Sequence, residues 1–387
     1  MPVTYTYPYI QYGGVWTTDQ ATDAVASGTW PVPTSPKLFT WGMNSEGALG
    51  LGNTTNYSSP KQVGALTDWS KTFSGNSQVS FAINTTSQLL AFGANYAGAL
   101  GLGNTAGRSS PVQVGALTNW SSVASFNYST VAIKTDGTLW GWGRNNQGQL
   151  GLGNTTNAFS SPNQVGSLTN WLRVAIGYRS CVAVTTSKEL YTWGNNSNGQ
   201  LGLGNTTYYS SPVQVGSLTN WEYVAAGTRF CVAVKTNGTL WSWGVNNHGQ
   251  LGLGNVTQYS SPKQIGALTN WLYVAAGYQF CIAIKTDGTL WSWGRNLDGQ
   301  LGQGNTTSLS SPKQIGALTG WSSVSAGGAT AAALKTNGTA WTWGNNSSGR
   351  LGLGDTTYRS SPTQIGTLTS WTDLSRGSDN GSGIAST

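Results

Sequence analysis

Four features of this chain have the side chains or backbone to do chemistry: a glycine-rich loop, one histidine, three cysteines and a scatter of carboxylates. The loop reads GQLGLGNTT over 199–207. Its G-x-x-G-x-G spelling is close to the dinucleotide fingerprint, in which exposed backbone N–H groups approach a pyrophosphate, and the fingerprint is meaningful only between a strand and a helix. Near-copies begin at Gly47, Gly98, Gly148, Gly249, Gly299 and Gly349, so the loop is part of the architecture and not one nucleotide site. His248 sits in an NNHGQ loop where other copies place Gln147, Asn198, Asp298 or Ser348, and no partners for a triad or a zinc site accompany it. The 12 Asp and Glu residues fall mostly one to a loop, with no pair set out for general acid–base work. Cys181, Cys231 and Cys281 share a repeat position that Thr130 and Ala331 fill in other copies, which reads as small apolar filling and not a disulfide framework. No catalytic residue, metal ligand or cofactor is expected.

The repeats themselves define the elements. Aromatic–glycine pairs at Trp41-Gly42, Phe92-Gly93, Trp142-Gly143, Trp193-Gly194, Trp243-Gly244, Trp293-Gly294 and Trp343-Gly344 are spaced by 51, 50, 51, 50, 50 and 50 residues. Each unit holds four β-rich runs. In one copy these are Glu222–Gly227, Cys231–Thr236, Thr239–Gly244 and the proline-led Pro212–Gly216, the last suited to a sheet edge. The TNGT between the second and third runs reads as a hairpin turn in which Asn-Gly accepts positive φ. Trp241 and Trp243, two apart, share a sheet face. Burying each Trp is worth roughly 4–6 kcal/mol before entropy, so these faces demand cover from a neighbouring sheet.

Seven such sheets close into a ring. The last copy ends after two strands, in WTDLSRGSDNGSGIAST, while KLFTWG (Lys37–Gly42) and PKQVG (Pro60–Gly64) supply two more from the other end. The expected fold is therefore all-β: a seven-bladed propeller of four-stranded antiparallel blades over residues 37–387, with one blade built from two N-terminal and two C-terminal strands. Residues 1–36 form a short non-repeat arm, in which Thr17 or Thr18 could cap a short helix through Ser27.

Composition narrows the function classes. Only 8% of residues are charged, and the net charge of +7 is spread through the repeats. Lys134, Lys235, Lys285 and Lys335 share one turn position, a dilute ring and not the clustered stripe of a nucleic-acid binder, so nucleic acid is not expected as a partner. No run of about 20 apolar residues is present for membrane insertion. The N-terminus lacks the basic start and apolar core of a secretory signal.

The unit VAAGxxFCVAVKTxGTLWSWGxNxxGQLGLGN resembles the repeat of the regulator-of-chromosome-condensation family, over residues from about 37 to 387. That resemblance implies the seven-bladed fold but no single activity, because members do different jobs. It implies that nucleotide exchange would need a protruding wedge, and the near-equal repeat lengths leave no room for one. It implies that light sensing would need Trp in GWRHT segments. The matching segments here, GYRSC, GTRFC and GYQFC, carry Tyr178, Thr228 and Tyr278, which disfavours it.

Where the copies differ is more informative. The first-to-second strand loops carry Tyr128, Tyr178, Arg179, Arg229, Phe230, Tyr278 and Phe280. The third-to-fourth strand loops carry Tyr208, Tyr209, Tyr259 and Arg359. Up-and-down strands bring both loop sets to one face, which is then rich in Tyr and Arg, the residue types that dominate binding hot spots. In the arm, Tyr5, Tyr7, Tyr9, Trp16 and Trp30 read as anchoring aromatics, and GVWTTDQATDAVASGTWP resembles N-terminal segments of structural proteins from marine and cyanobacterial phages. The expectation drawn from this is a non-enzymatic bacteriophage virion surface protein of the tail, fibre or capsid. Its arm would dock on other virion proteins, and its loop face would meet a host surface protein or glycan. The alternative is a cellular, cytoplasmic propeller that regulates or inhibits a single protein partner. A sugar-hydrolysing propeller would need paired acids, and none is evident.

Overall fold

The strands of a repeat form because its apolar and β-branched residues come in short runs cut by glycine, and each run is sealed by local hydrogen bonds. A computed structural model describes residues 35–387. In the fourth blade the strands run Trp221–Ala226, Phe230–Lys235, Leu240–Gly244 and Tyr259–Gln264, paired antiparallel in that order from the axis outward. The second strand is buried at every residue, because it lies inside its own sheet and is covered on both faces by neighbouring sheets. The TNGT turn closes with Lys235 N–H donating to Thr239 O at 2.9 Å, and the Asn237 carboxamide oxygen accepts from the Thr239 hydroxyl at 2.7 Å. Only Gly238 takes positive φ (73°), not both turn residues as the Asn-Gly pattern implied. Glycine is required there because a Cβ would lie 2.1 Å from the Thr269 carbonyl of the next connection.

The outer strands begin about three residues earlier than expected: Tyr209–Gln214 where the sequence indicated Pro212–Gly216, and Tyr57–Gln62 where it indicated Pro60–Gly64. Their pairing is interrupted, as between Gly194↔Tyr209 and Thr192↔Val213, and the proline that lacks an N–H falls in that gap.

The described residues form seven sheets, each of four antiparallel strands. Seven buried apolar clusters fill the spaces between successive blades. One joins Val182, Val184 and Leu190 of the third blade to Trp221, Val224, Ala233 and Trp243 of the fourth. The glycine-rich loops are the joints of this packing. Trp243 Nε1–H donates to the Gln200 carbonyl in the preceding blade's loop at 3.0 Å, and the matching Trp residues 41, 142, 193, 293 and 343 do the same at 2.9–3.1 Å. Phe92 holds that place in the first blade, buried without such a bond. A Cβ on Gly202 would lie 2.8 Å from the Trp243 indole nitrogen, and Gly204 N–H donates to Ser260 O of the next blade. The phosphate-cradle spelling is thus an interblade latch.

The ring closes as anticipated. Pro36–Gly42 pairs residue for residue with Asn380–Ser386, starting one residue before the expected Lys37. The closing joint adds hydroxyl and carboxylate bonds to its apolar cluster: Thr72 and Ser74 of the first blade share the Ser382 hydroxyl at 2.6 and 2.7 Å, and Thr72 N–H donates to Asp373 at 2.8 Å.

Candidate functional site

Register decides which residues share a face. Phe230 pairs with Gly244 and Gly244 with Tyr259, so the first-to-second and third-to-fourth loops leave each blade at the same end. The opposite end carries the repeated turns and a ring of half-exposed leucines, among them Leu66, Leu117, Leu168, Leu218, Leu268 and Leu318.

On the varied face, second-blade residues Asn127 and Tyr128 form a two-residue turn between the paired Phe126 and Ser129, and both have positive φ, 49° and 64°. Asn tolerates that region and Tyr is strained in it. The turn presents Tyr128 to a depression of about 550 Å³, walled also by Tyr96 and Tyr278 and lined by Glu46, Arg144 and Asp379. Tyr96 meets Tyr128 edge-on, with ring centroids 5.2 Å apart, and the Arg144 guanidinium carbon lies 5.3 Å from the Tyr128 ring centre. The Tyr96 hydroxyl donates to Glu46 Oε1 at 3.3 Å, and the charge of Glu46 pushes the phenol pKa up. Asp379 accepts from the Ser378 hydroxyl at 2.6 Å and pairs with Arg350 at 3.3 Å.

The axis beside this depression is crossed by aromatic rings. Six blades place glycine at the end of the innermost strand: Gly75, Gly177, Gly227, Gly277, Gly327 and Gly377. Phe126 stands there in the second blade, and its ring lies 5.8 Å from Tyr278 of the fifth blade and 6.4 Å from Tyr178 of the third. Backbone bonds tie the same loops into a belt, from Tyr178 N–H to Thr228 O, from Thr228 N–H to Tyr278 O, and from Tyr278 N–H to Gly328 O. Burial raises the Tyr278 phenol pKa. Further along the axis the small side chains of the innermost strands, such as Ala225, Ala275 and Ser325, line a cavity of about 230 Å³.

The expected binding residues are dispersed by this geometry. Tyr128 and Tyr278 meet at the depression. Tyr178, Arg179 and Arg229, of the third and fourth blades, are outside the lining of the depression, and both guanidiniums pack on the Tyr178 ring at 4.9 and 5.6 Å. Tyr208, Tyr209, Tyr259 and Arg359 lie at the outer strands, away from the axis. Tyr208 is exposed, whereas Arg359 is held by Asp355 at 2.6 Å. Phe230 and Phe280 are not surface residues. They are 1% and 0% exposed, with their rings folded over Gly227 and Gly277 where a Cβ would stand. Tyr96, Glu46 and Arg144 were missed because they belong to the WGxNxxG loops. The signal was available: the residue after the recurrent Asn reads Ser45, Tyr96, Asn146, Ser197, Asn247, Leu297 and Ser347. The anchoring residues Tyr5, Tyr7, Tyr9, Trp16 and Trp30, and the helix considered for 17–27, lie outside the described residues.

The lysine ring is also not free surface charge. Lys134, Lys235, Lys285 and Lys335 each place Nζ 3.6–5.7 Å from the centres of two Trp rings. Burial lowers the pKa of the first three. The cysteines are free and buried, each directing its thiol at a latch carbonyl, and burial pushes the Cys231 thiol up to about 12. His248 keeps to its loop, where its backbone N–H donates to Gln250 Oε1.

A profile of the RCC1-like domain matches residues 37–281 and 174–383. The ultraviolet-B receptor UVR8 of Arabidopsis thaliana is 30% identical over 177 residues, which is 46% of this chain and 29% of the receptor, so the match spans less than a third of that protein. Human WBSCR16 superposes with a TM-score of 0.81 at 22% identity, covering 91% of this chain and 99% of that one. Yeast RCC1 (Prp20), solved with Kap60 bound, superposes at 0.80 and 22% identity, covering 92% and 89%. A second structure, of Prp20p from Saccharomyces cerevisiae, gives 0.80 and 22% with 92% of each chain covered, and its description names binding to Gsp1p and histones. At this identity the solved structures speak for the fold.

These matches overturn the virion expectation. The proteins similar along the body of the chain are cellular propellers, and the 18-residue likeness at the N-terminus cannot outweigh a family match across both halves of the ring. The virion location, the neighbouring virion proteins and the host glycan are withdrawn with it.

Proposed function

Because the chain belongs to the RCC1-like domain family, we propose that it is a cellular regulatory propeller that binds a protein partner through the face bearing the Tyr128–Tyr278 depression, without catalysis. One contrast carries this reading. Latch, turn and core residues recur from blade to blade, whereas the loops of a single face differ in nearly every copy and bring Tyr, Arg and carboxylate side chains around a concavity. Side chains that combine area with directional bonds, set around a depression, are the anatomy of a binding hot spot. The descriptions of yeast Prp20, with Kap60, Gsp1p and histones, support a protein as the class of partner.

The test is cross-linked affinity capture from the source cells with three tagged forms: the unaltered chain, Tyr128→Ala/Arg229→Ala on the varied face, and Leu218→Ser/Leu268→Ser on the opposite face. A stoichiometric protein should be retained by the first and third and lost by the second, with all three keeping the same circular dichroism. Retention by the varied-face variant, or no stoichiometric partner at all, refutes the reading.

A further inference from the structure

The Tyr128–Tyr278 depression has a specific charge character. It lies in a chain of net charge +7, and its lining holds two carboxylates, Glu46 and Asp379, beside one cation, Arg144, which lies over the Tyr128 ring. Asp379 is shared with Arg350, but Glu46 has no cationic partner: the four ion pairs among the described residues use Arg173, Lys188, Arg350 and Arg359. Glu46 is held in place by other means. Its Oε1 accepts from the Tyr96 hydroxyl, and its backbone N–H donates to Gln78 Oε1 at 3.2 Å, an oxygen that also takes the Ser45 hydroxyl at 2.9 Å. A pre-positioned carboxylate without a counter-charge stands against tyrosine rings whose faces are electron-rich. The site already shows what such a ring accepts, since Arg144 lies over Tyr128 at 5.3 Å. The volume, about 550 Å³, has room for a long side chain with its flanking backbone.

We infer that the depression receives a lysine or arginine side chain from an extended segment of the protein partner, with the cationic head between Glu46 and the Tyr96 ring. This rests on the partner-binding reading and names the partner's chemistry. Charge complementarity of this kind fixes register and partner choice more than raw affinity. An acidic segment would meet the unpaired Glu46 as a like charge.

The experiment uses the full chain and three tetramethylrhodamine-labelled Gly/Ser dodecapeptides that differ at a central pair: Lys-Arg, Gln-Gln or Glu-Glu. Anisotropy titrations should show the Lys-Arg peptide binding at least about tenfold tighter than either other, and weakening as salt is raised. Glu46→Gln and Tyr96→Ala should each weaken the Lys-Arg peptide about three- to tenfold while leaving the melting temperature near that of the parent. Equal binding of the Gln-Gln peptide, tighter binding of the Glu-Glu peptide, no binding of Lys-Arg, or indifference to Glu46→Gln overturns the inference. If cellular capture still depends on Tyr128 and Arg229 but not on Glu46, the cation site alone is wrong. If capture ignores the whole face, the partner-binding reading fails first.

Discussion

Asp373 offers the sharpest test of how the ring is closed. It lies on the innermost strand of the closing blade, and its Oδ2 accepts from Thr72 N–H of the first blade at 2.8 Å. That bond and the charge of Lys71 favour the carboxylate, but burial outweighs them and pushes the carboxyl up from 3.8 to about 6. Between those two values the folded chain holds a proton that the unfolded chain has released. Stability therefore falls as pH rises through this window, and the penalty is fully present above about pH 6. A shift of this size is worth about 3 kcal/mol at roughly 1.4 kcal/mol per unit, and the residue's remaining contact with solvent lowers the expected figure to about 1–2 kcal/mol. Asp373→Asn keeps an oxygen to accept from Thr72 and removes the charge. It should raise the midpoint of chemical denaturation at pH 8, with the advantage shrinking toward pH 4 as the parent takes up its proton. The assay is guanidinium unfolding of both proteins, followed by Trp fluorescence at unit steps from pH 4 to pH 8. A variant less stable than its parent at pH 8, or a difference that does not change across that range, would show that burial does not dominate at this joint.

Two further outcomes follow from the latches. Gly202→Ala should be severely destabilising and Gly216→Ala mild: both have positive φ, 73° and 62°, but a Cβ on Gly202 meets the Trp243 indole at 2.8 Å whereas nothing lies within 4 Å of one on Gly216. The second should cost only the roughly 1–2 kcal/mol of left-handed backbone, read as a small drop in melting temperature, and comparable losses in both would contradict the latch. Cys181, Cys231 and Cys281 should resist iodoacetamide at pH 8 in the folded chain and take up three equivalents after unfolding, because burial raises all three thiols above their ordinary range. Intact-mass measurement decides, and rapid native labelling would mean that the blades separate.

What could be read from the residues was whatever the repeat imposes seven times. The blade count, the four strands, the placing of Trp241 and Trp243 on one face, and the completion of the last blade by an N-terminal strand, expected at Lys37–Gly42, all follow from spacing and from apolar area that a lone sheet cannot bury. The sharing of one face by two loop sets follows from strand count alone. The site was only half legible, because a site is made of departures from the repeat, and whether a departure points outward or inward depends on packing. Tyr128 and Phe230 lie in equivalent loops, yet one turns to the surface on a left-handed backbone and the other folds over a glycine into the core. Phe126 gained its place across the axis from a missing glycine, a contact between the second and fifth blades that no local pattern announces. Asp379 joined Glu46 and Tyr96 only because ring closure sets the C-terminal strands of the closing blade beside the N-terminal ones. Local periodicity determines the sheets. Only the closed circle, by bringing chain positions hundreds of residues apart within hydrogen-bonding distance, decided which side chains share a surface.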